Sequence, residues 1–167
     1  DMVRDRIDFY VDQVLSDEIT REEWNLVELN RILLPVIPLA PITDERVEGI
    51  KKISDLKDML YEEAEKLYNA KEAEFPTPDD FREVERVILL RVIDRKWMDE
   101  INDMDQLRQG IGLQAYAQKN PLIEYKMNGY EMFDEMTQAI TVDTVRLLFH
   151  VKVEQKVERE EVAKVTG

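Results

Sequence analysis

The chain has 167 residues, enough for one domain or two small ones, and carries 44% apolar and 36% charged residues. Only 5 glycines and 6 prolines are present against an abundance of Glu, Lys, Arg, Leu, Met and Gln, a composition that favours helices and excludes an all-β fold. The net charge of -14 repels phosphate backbones and sets nucleic acid aside as a partner, and the absence of cysteine excludes disulfides and thiolate zinc sites.

The N-terminus, Asp-Met-Val-Arg-Asp, carries no signal-peptide pattern. It begins as though mid-helix and without a cap, so the expectation is a piece of a longer protein. Val3, Ile7, Tyr10, Val11 and Val14 fall at helical spacing over residues 2–15. Ser16 and Asp17 break that helix. Thr20-Arg-Glu-Glu23 is a capping box, and a helix holding Trp24, Val27, Ile32 and Leu33 should follow it.

Pro35, Pro38 and Pro41 stand three apart in LLPVIPLAPIT. Each lacks an N–H and biases its predecessor to extended geometry, which predicts a buried, extended connector. A proline-motif ligand is the functional alternative. The packed loop is favoured, because the intervening residues are Leu, Val and Ile.

Residues 44–74 are charged and read as one helix, with Ile50, Ile53, Leu56, Leu60, Ala64, Leu67 and Tyr68 as its apolar stripe. Phe75-Pro-Thr-Pro-Asp-Asp80 is the clearest boundary. Thr77 as N-cap, Pro78 at the first helical position and Asp80 three after the cap make a strong start.

The next helix is predicted from about 79 to 104 or slightly beyond, about 39 Å at about 1.5 Å per residue. Leu89, Ile93, Trp97, Ile101 and Met104 are expected to serve as structural, core-packing residues along it. Gly110 and Gly112 should end its regularity. Asn120-Pro121 restarts a helix over about 121–153, with Tyr125, Met132, Phe133, Met136, Ile140, Thr144, Leu147, Leu148 and Val151 on one face. The expected fold is all-α: a long antiparallel helical hairpin beside a smaller helical unit.

Chemistry is hard to find. His150 is the only histidine and has no i+4 partner of the metal-binding kind. The acids of Glu62, Glu63, Glu65 and of Asp99, Glu100, Asp103 read as solvated helix faces rather than a metal site. No G-x-x-x-x-G-K-[ST] loop occurs, and neither Ser16 nor Ser54 sits in a nucleophile context. The chain is therefore expected not to be an enzyme by itself.

The hairpin tip differs from the rest. Residues 106–123 contain no acid, in a chain with 37 acids, and hold Arg108, Lys119, Gln106, Gln109, Gln114, Gln118, Asn120 and Tyr116. An ordinary polar turn is one reading. A connection of this length between long helices is nonetheless unusual. A tyrosine there offers a flat apolar face plus a hydroxyl, chemistry suited to gripping extended chains of varied sequence.

Residues 96–125, KWMDEINDMDQLRQGIGLQAYAQKNPLIEY, resemble the SecA family, the motor ATPases of bacterial preprotein translocation. W-M-D, M-D-Q-L-R-Q-G-I, the Y-A-Q turn and N-P-L-x-E-Y fall in the family's order and spacing. Similarity continues through Met132-Phe133 and Val157-Glu-Arg-Glu-Glu161, and extends more weakly over residues 16–75.

The resemblance implies four segments: 1–15 as the end of the scaffold helix, 16–76 as the helical wing, 77–153 as the two-helix finger of the helical scaffold, and 154–167 as a charged tail. It implies that the finger enters the SecY channel of SecYEG and touches unfolded preprotein. Tyr116 would make that contact, with Arg108, Gln114, Gln118 and Lys119 around it. It further implies restraint of the motor's ATPase through its nucleotide-binding domains. ATP and magnesium would belong to the full-length motor and no cofactor to this segment. The full-length protein would be cytoplasmic, peripheral at the inner face of the plasma membrane. Glu100 stands where the family commonly has histidine, and Gly112 and Gln114 replace His and Arg, so the tip is less basic than usual. The rival expectation is a structural helical adaptor that docks other helices through its apolar face. Either self-association, as a homodimer, or mobile finger geometry is expected of the isolated chain.

Overall fold

The computed structural model describes residues 1–114 and 120–153. The chain forms α1 (Met2–Val14), a 3-10 turn (Arg21–Glu23), α2 (Leu26–Leu33), α3 (Ile53–Ala73), α4 (Pro78–Gln114) and α5 (Pro121–His150). Every regular element among the described residues is helical, so the fold is all-α. None of these helices is long and apolar enough to cross a membrane.

Helix starts follow local side-chain chemistry. Asp1 caps α1, its carboxylate accepting from the Val3 N–H at 2.9 Å, which corrects the expectation of an uncapped start. Thr20 and Glu23 do form the capping box, but it closes only the 3-10 turn. Trp24 and Asn25 leave helical geometry, and Asn25 caps α2 afresh by accepting from the Glu28 N–H at 3.1 Å. At α4 the Asp80 N–H donates to Thr77 Oγ1 at 3.2 Å, while the Thr77 N–H donates to the Asp80 carboxylate at 3.2 Å. That reciprocal pair satisfies two otherwise orphan donors.

The expected single helix over 44–74 begins only at Ile53. Residues 44–49 form turns, and Gly49 takes φ +85°, a left-handed conformation that side-chain-bearing residues rarely adopt. The proline segment is buried as expected but is not extended throughout: residues 34–37 form a turn and bend in which the Val36 and Ile37 N–H groups donate to the Leu33 carbonyl at 3.1 and 3.0 Å, and only residues 38–43 leave it. Val36, Ile37, Leu39 and Ile42 are all at least nine-tenths buried. Beyond that turn, side chains pair the backbone at Ala40 and Ile42. Asn30 accepts from the Ile42 N–H at 2.8 Å and donates to the Ile42 carbonyl at 2.9 Å. Glu63 accepts from the Ala40 N–H at 2.7 Å, and Arg46 donates to the Ala40 carbonyl at 2.6 Å. Burial of such a segment would otherwise strand polar groups at a cost of about 1–3 kcal/mol each.

One core joins these pieces. Ile7, Val11 and Leu15 of the α1 end meet Leu26, Leu29 and Leu33 of α2, Leu56, Leu60 and Ala64 of α3, and Val145 and Phe149 of α5. The core therefore draws on residues 1–15, 16–76 and 77–153 alike. Lys57 reaches back to Asp12 at 2.7 Å, and the Tyr61 hydroxyl donates to Asp8, tying α3 to α1. An aromatic cluster closes the hairpin's root. Tyr68 of α3 lies 5.2 Å from Phe81 of α4 and 5.6 Å from Phe149 of α5, with Phe75 5.0 Å from Phe81, ring centre to ring centre. Burial first, and then the neighbouring Glu85 carboxylate, push the Tyr68 hydroxyl's pKa well up.

Candidate functional site

From this root α4 and α5 run out together as an antiparallel pair, the most extensive helix–helix packing among the described residues. The 37 residues of α4 extend for about 55 Å. The pair has two halves of different character. Near the root, Val92 and Met136 are buried, and Lys96 bridges to Asp143 at 3.1 Å across the seam. Further out, the seam opens into an apolar groove of about 810 Å³, lined among others by Trp97, Ile101, Met104, Tyr125, Tyr130 and Phe133.

That groove corrects the core-packing expectation for Trp97 and Ile101, which are 49% and 56% exposed. Leu89, Ile93 and Met104 are partly buried. Two packed helices share one seam, and a stripe wider than that seam keeps its flank in solvent. Phe133 and Tyr130, at 49% and 71% exposure, flank it from α5.

The helix end is also corrected. Gly110 lies inside α4, which continues to Gln114. Glycine permits a left-handed helix stop but does not impose one, and Gly110 shows no positive φ. Ile111 between the two glycines is only 6% exposed, and its burial favours continued helix there. At the far side, Asn120 accepts from the Leu122 and Ile123 N–H groups at 3.2 and 3.4 Å with Pro121 at the first helical position, as expected. α5 ends at His150, three residues earlier than expected.

Of the tip residues singled out from sequence, Tyr116, Gln118 and Lys119 lie outside the described residues, and Gln114 is described only as the last residue of α4. Arg108 is exposed and sits at 2.9 Å from Asp105 one turn earlier. It shares the groove with Tyr125 and Lys126. Sequence reasoning missed Lys126, Gly129 and Tyr130 as groove residues. Their signal was present, since 126, 129, 130 and 133 repeat at three- and four-residue spacing, but polar and glycine positions do not register in an apolar count.

Beside the groove a small acidic cleft is lined by Asp99, Glu100, Asp103 and Glu135, with Lys96 at one end. Burial, then Asp103 and Glu135, hold the Glu100 carboxyl above its ordinary pKa. Among the described residues no group of three or more His, Cys, Asp or Glu side chains is placed to hold a metal ion. His150 is exposed, with Nδ1 2.7 Å from the Arg146 carbonyl oxygen.

One contact no sequence rule could find couples α1 to the hairpin. Arg6 is 3% exposed and donates to the Gln138 side chain on α5, 132 residues away, with its guanidinium 4.6 Å from the Phe9 ring centre.

The family model of the SecA Wing and Scaffold domain matches residues 1–152. The protein translocase subunit SecA of Lachnoclostridium phytofermentans is 60% identical over 174 aligned residues, covering 99% of this chain and 20% of that protein. The protein translocase subunits SecA of Clostridium botulinum (strain Okra) and Clostridium novyi are 47% and 45% identical, each over 100% of this chain and 20% of their own length. The chain thus spans about one-fifth of the length of the curated relatives it matches.

Proposed function

The chain belongs to the SecA wing and scaffold domain family, and on that premise we propose that it is the polypeptide-engaging, regulatory part of a preprotein translocase. In this reading the α4–α5 pair is the two-helix finger. It enters the SecY channel of SecYEG and bears on unfolded preprotein through Tyr116, with Arg108, Gln114, Gln118 and Lys119 beside it. The observation that carries the reading is the match over residues 1–152, together with a hairpin that holds the acid-free stretch at its far end.

The mechanism is mechanical. A helix pair anchored at its root by Tyr68, Phe81 and Phe149 moves as a lever, because the root aromatics and the α1 contact through Arg6 fix its origin. Movement of the scaffold helix end would then displace the tip. A tyrosine at the tip grips by its ring face, which tolerates any passing side chain. The same root contacts would carry restraint from the finger back to the nucleotide-binding domains.

We assign ATP and magnesium to parts of the motor outside this chain, and no catalytic step to the chain itself. Gly110, the first glycine of the only closely spaced pair, lies within a helix and not in a loop that could wrap a phosphate. The longer protein would work in the cytoplasm, peripheral at the inner face of the plasma membrane.

Replacing Tyr116 by Ala in a full-length SecA that carries this segment tests the reading. Translocation of preprotein should fall severalfold while basal ATPase and thermal stability stay unchanged. Full translocation would remove Tyr116 from the mechanism. The rival reading, a helical adaptor, draws support from the exposed groove around Trp97. It predicts the reverse, with losses from Trp97 or Leu89 and none from Tyr116.

A further inference from the structure

We propose that the α4–α5 pair is jointed, its outer part, residues 97–114 with 121–137, swinging as one unit on a fixed inner part about Lys96–Asp143 and Thr137–Thr141. The joint is a property of the chain itself and stands whether or not the pair enters a channel. The first observation is where the polar ties stop. Glu72 reaches Arg82 on α4, and Lys96 meets Asp143 across the seam at 3.1 Å. Arg6 donates to Gln138 on α5, and Lys71 donates to the Val151 carbonyl just past its end at 3.0 Å. Among the described side chains, no hydrogen bond or ion pair from another element lands outward of Lys96 on α4 or of Gln138 on α5. The Arg108–Asp105 pair stays on its own helix. The outer part is thus held to the rest by its two helix backbones and apolar contact.

At that same level α5 is a weakened helix. Six of the nine residues 137–145 are β-branched, the class that loses side-chain freedom in a helix. The Thr137 hydroxyl donates to the Phe133 carbonyl at 2.9 Å, and the Thr141 hydroxyl donates to the Thr137 carbonyl at 3.2 Å. Each such bond draws on a carbonyl that the helix ladder also uses, which bends and softens the turn. Two in succession place the soft turns of α5 over residues 133–141.

Charge across the seam changes sign at the same place. Asp143 attracts Lys96, whereas one turn further out Asp99, Glu100 and Asp103 of α4 share a cleft with Glu135 of α5. Like charges there loosen the seam just beyond its one ion pair. The outer part nonetheless moves as a unit, because Met104 seats against Gly129 and Ile111 is buried near the far end. Gln109 stands about 20 Å beyond Lys96 along α4, so a swing of about 15° carries it about 5 Å.

The chain has no cysteine, so pairs of introduced cysteines carry spin labels at chosen sites. Pulsed electron paramagnetic resonance on the 167-residue chain then reads three distance distributions, with circular dichroism and melting to confirm that each variant folds. Glu65→Cys with Arg91→Cys spans α3 to the inner part and should give a narrow distribution. Glu65→Cys with Gln109→Cys spans α3 to the outer part and should be broader by about 5 Å. Gln109→Cys with Glu131→Cys lies within the outer part and should be as narrow as the first. Adding Thr137→Ala and Thr141→Ala should remove about half of the extra breadth, and Asp143→Asn should increase it. A Glu65–Gln109 distribution no broader than Glu65–Arg91 overturns the proposal. So does an equally broad Gln109–Glu131 distribution, which would mean fraying of the two helices instead of a joint. Breadth untouched by both the threonine and the Asp143 substitutions would place the motion elsewhere and overturn it equally.

Discussion

The Met104 side chain on α4 lies over the bare α-carbon of Gly129 on α5, so close that a Cβ added at 129 would stand 3.1 Å from the methionine's terminal methyl and 3.6 Å from its sulfur. This close approach lies in the distal half of the hairpin. It explains a glycine in mid-helix, where glycine otherwise costs about 1 kcal/mol relative to alanine.

A branched side chain at 129 should therefore wedge the helices apart. Gly129→Val is expected to destabilise the chain by about 1–3 kcal/mol, the usual range for overpacking. Removing the obstacle with Met104→Ala should cut that cost by at least half. A double-mutant cycle in urea reads the coupling, and a cycle with no coupling would separate the two residues.

Gly110 predicts the opposite outcome. It sits inside α4, nothing lies within 4 Å of where its Cβ would be, and its φ is not positive. Gly110→Ala should stabilise the hairpin by about 1 kcal/mol. Loss of stability would mean that the helix breaks at this glycine after all.

Glu100 gives a pH signature. Its folded pKa is raised, first by burial and then by Asp103 and Glu135, from a reference of 4.5. A carboxyl whose folded pKa lies above its unfolded value costs stability at pH above the folded value. The cost disappears as pH falls below the unfolded value. Glu100→Gln should thus raise the melting temperature at neutral pH, by no more than about 3 °C given the side chain's solvent screening. The gain should vanish below about pH 4.5. Glu28 and Glu83 have the opposite sign, since Arg31 and Arg86 hold their pKa values down. Their contributions persist above about pH 4.5 and are lost as pH falls through the depressed values. Melting of dilute protein from acid to neutral pH separates the two, and a gain for Glu100→Gln that persists in acid would rule out this origin.

Legibility in the sequence followed the range of the interaction. Thr77 with Asp80 and Asn120 with Pro121 read correctly because cap and target lie within four residues. The burial of the proline connector read correctly from its Leu, Val and Ile, whereas the turn over residues 34–37 did not show in the proline spacing. The long helix over 44–74 did not, since one left-handed glycine at 49 outweighed a continuous charge pattern. Trp97 was misjudged because periodicity shows which face is apolar and cannot count how many neighbours cover it. Arg6, buried against Gln138, was invisible because its partner lies 132 positions on. The tip residues Tyr116, Gln118 and Lys119 stood out in the sequence through the acid-free stretch and took their specific partners from family likeness, and they lie outside the described residues.

The most direct test of the account is a photoreactive residue placed at position 116 in a full-length SecA that carries this segment, with a preprotein stalled in the channel. A control probe belongs at Val27, which is 80% exposed on α2. The account predicts adducts between position 116 and the translocating polypeptide, and none above background from position 27. A motor that still translocates but gives no more adduct at 116 than at 27 would contradict it.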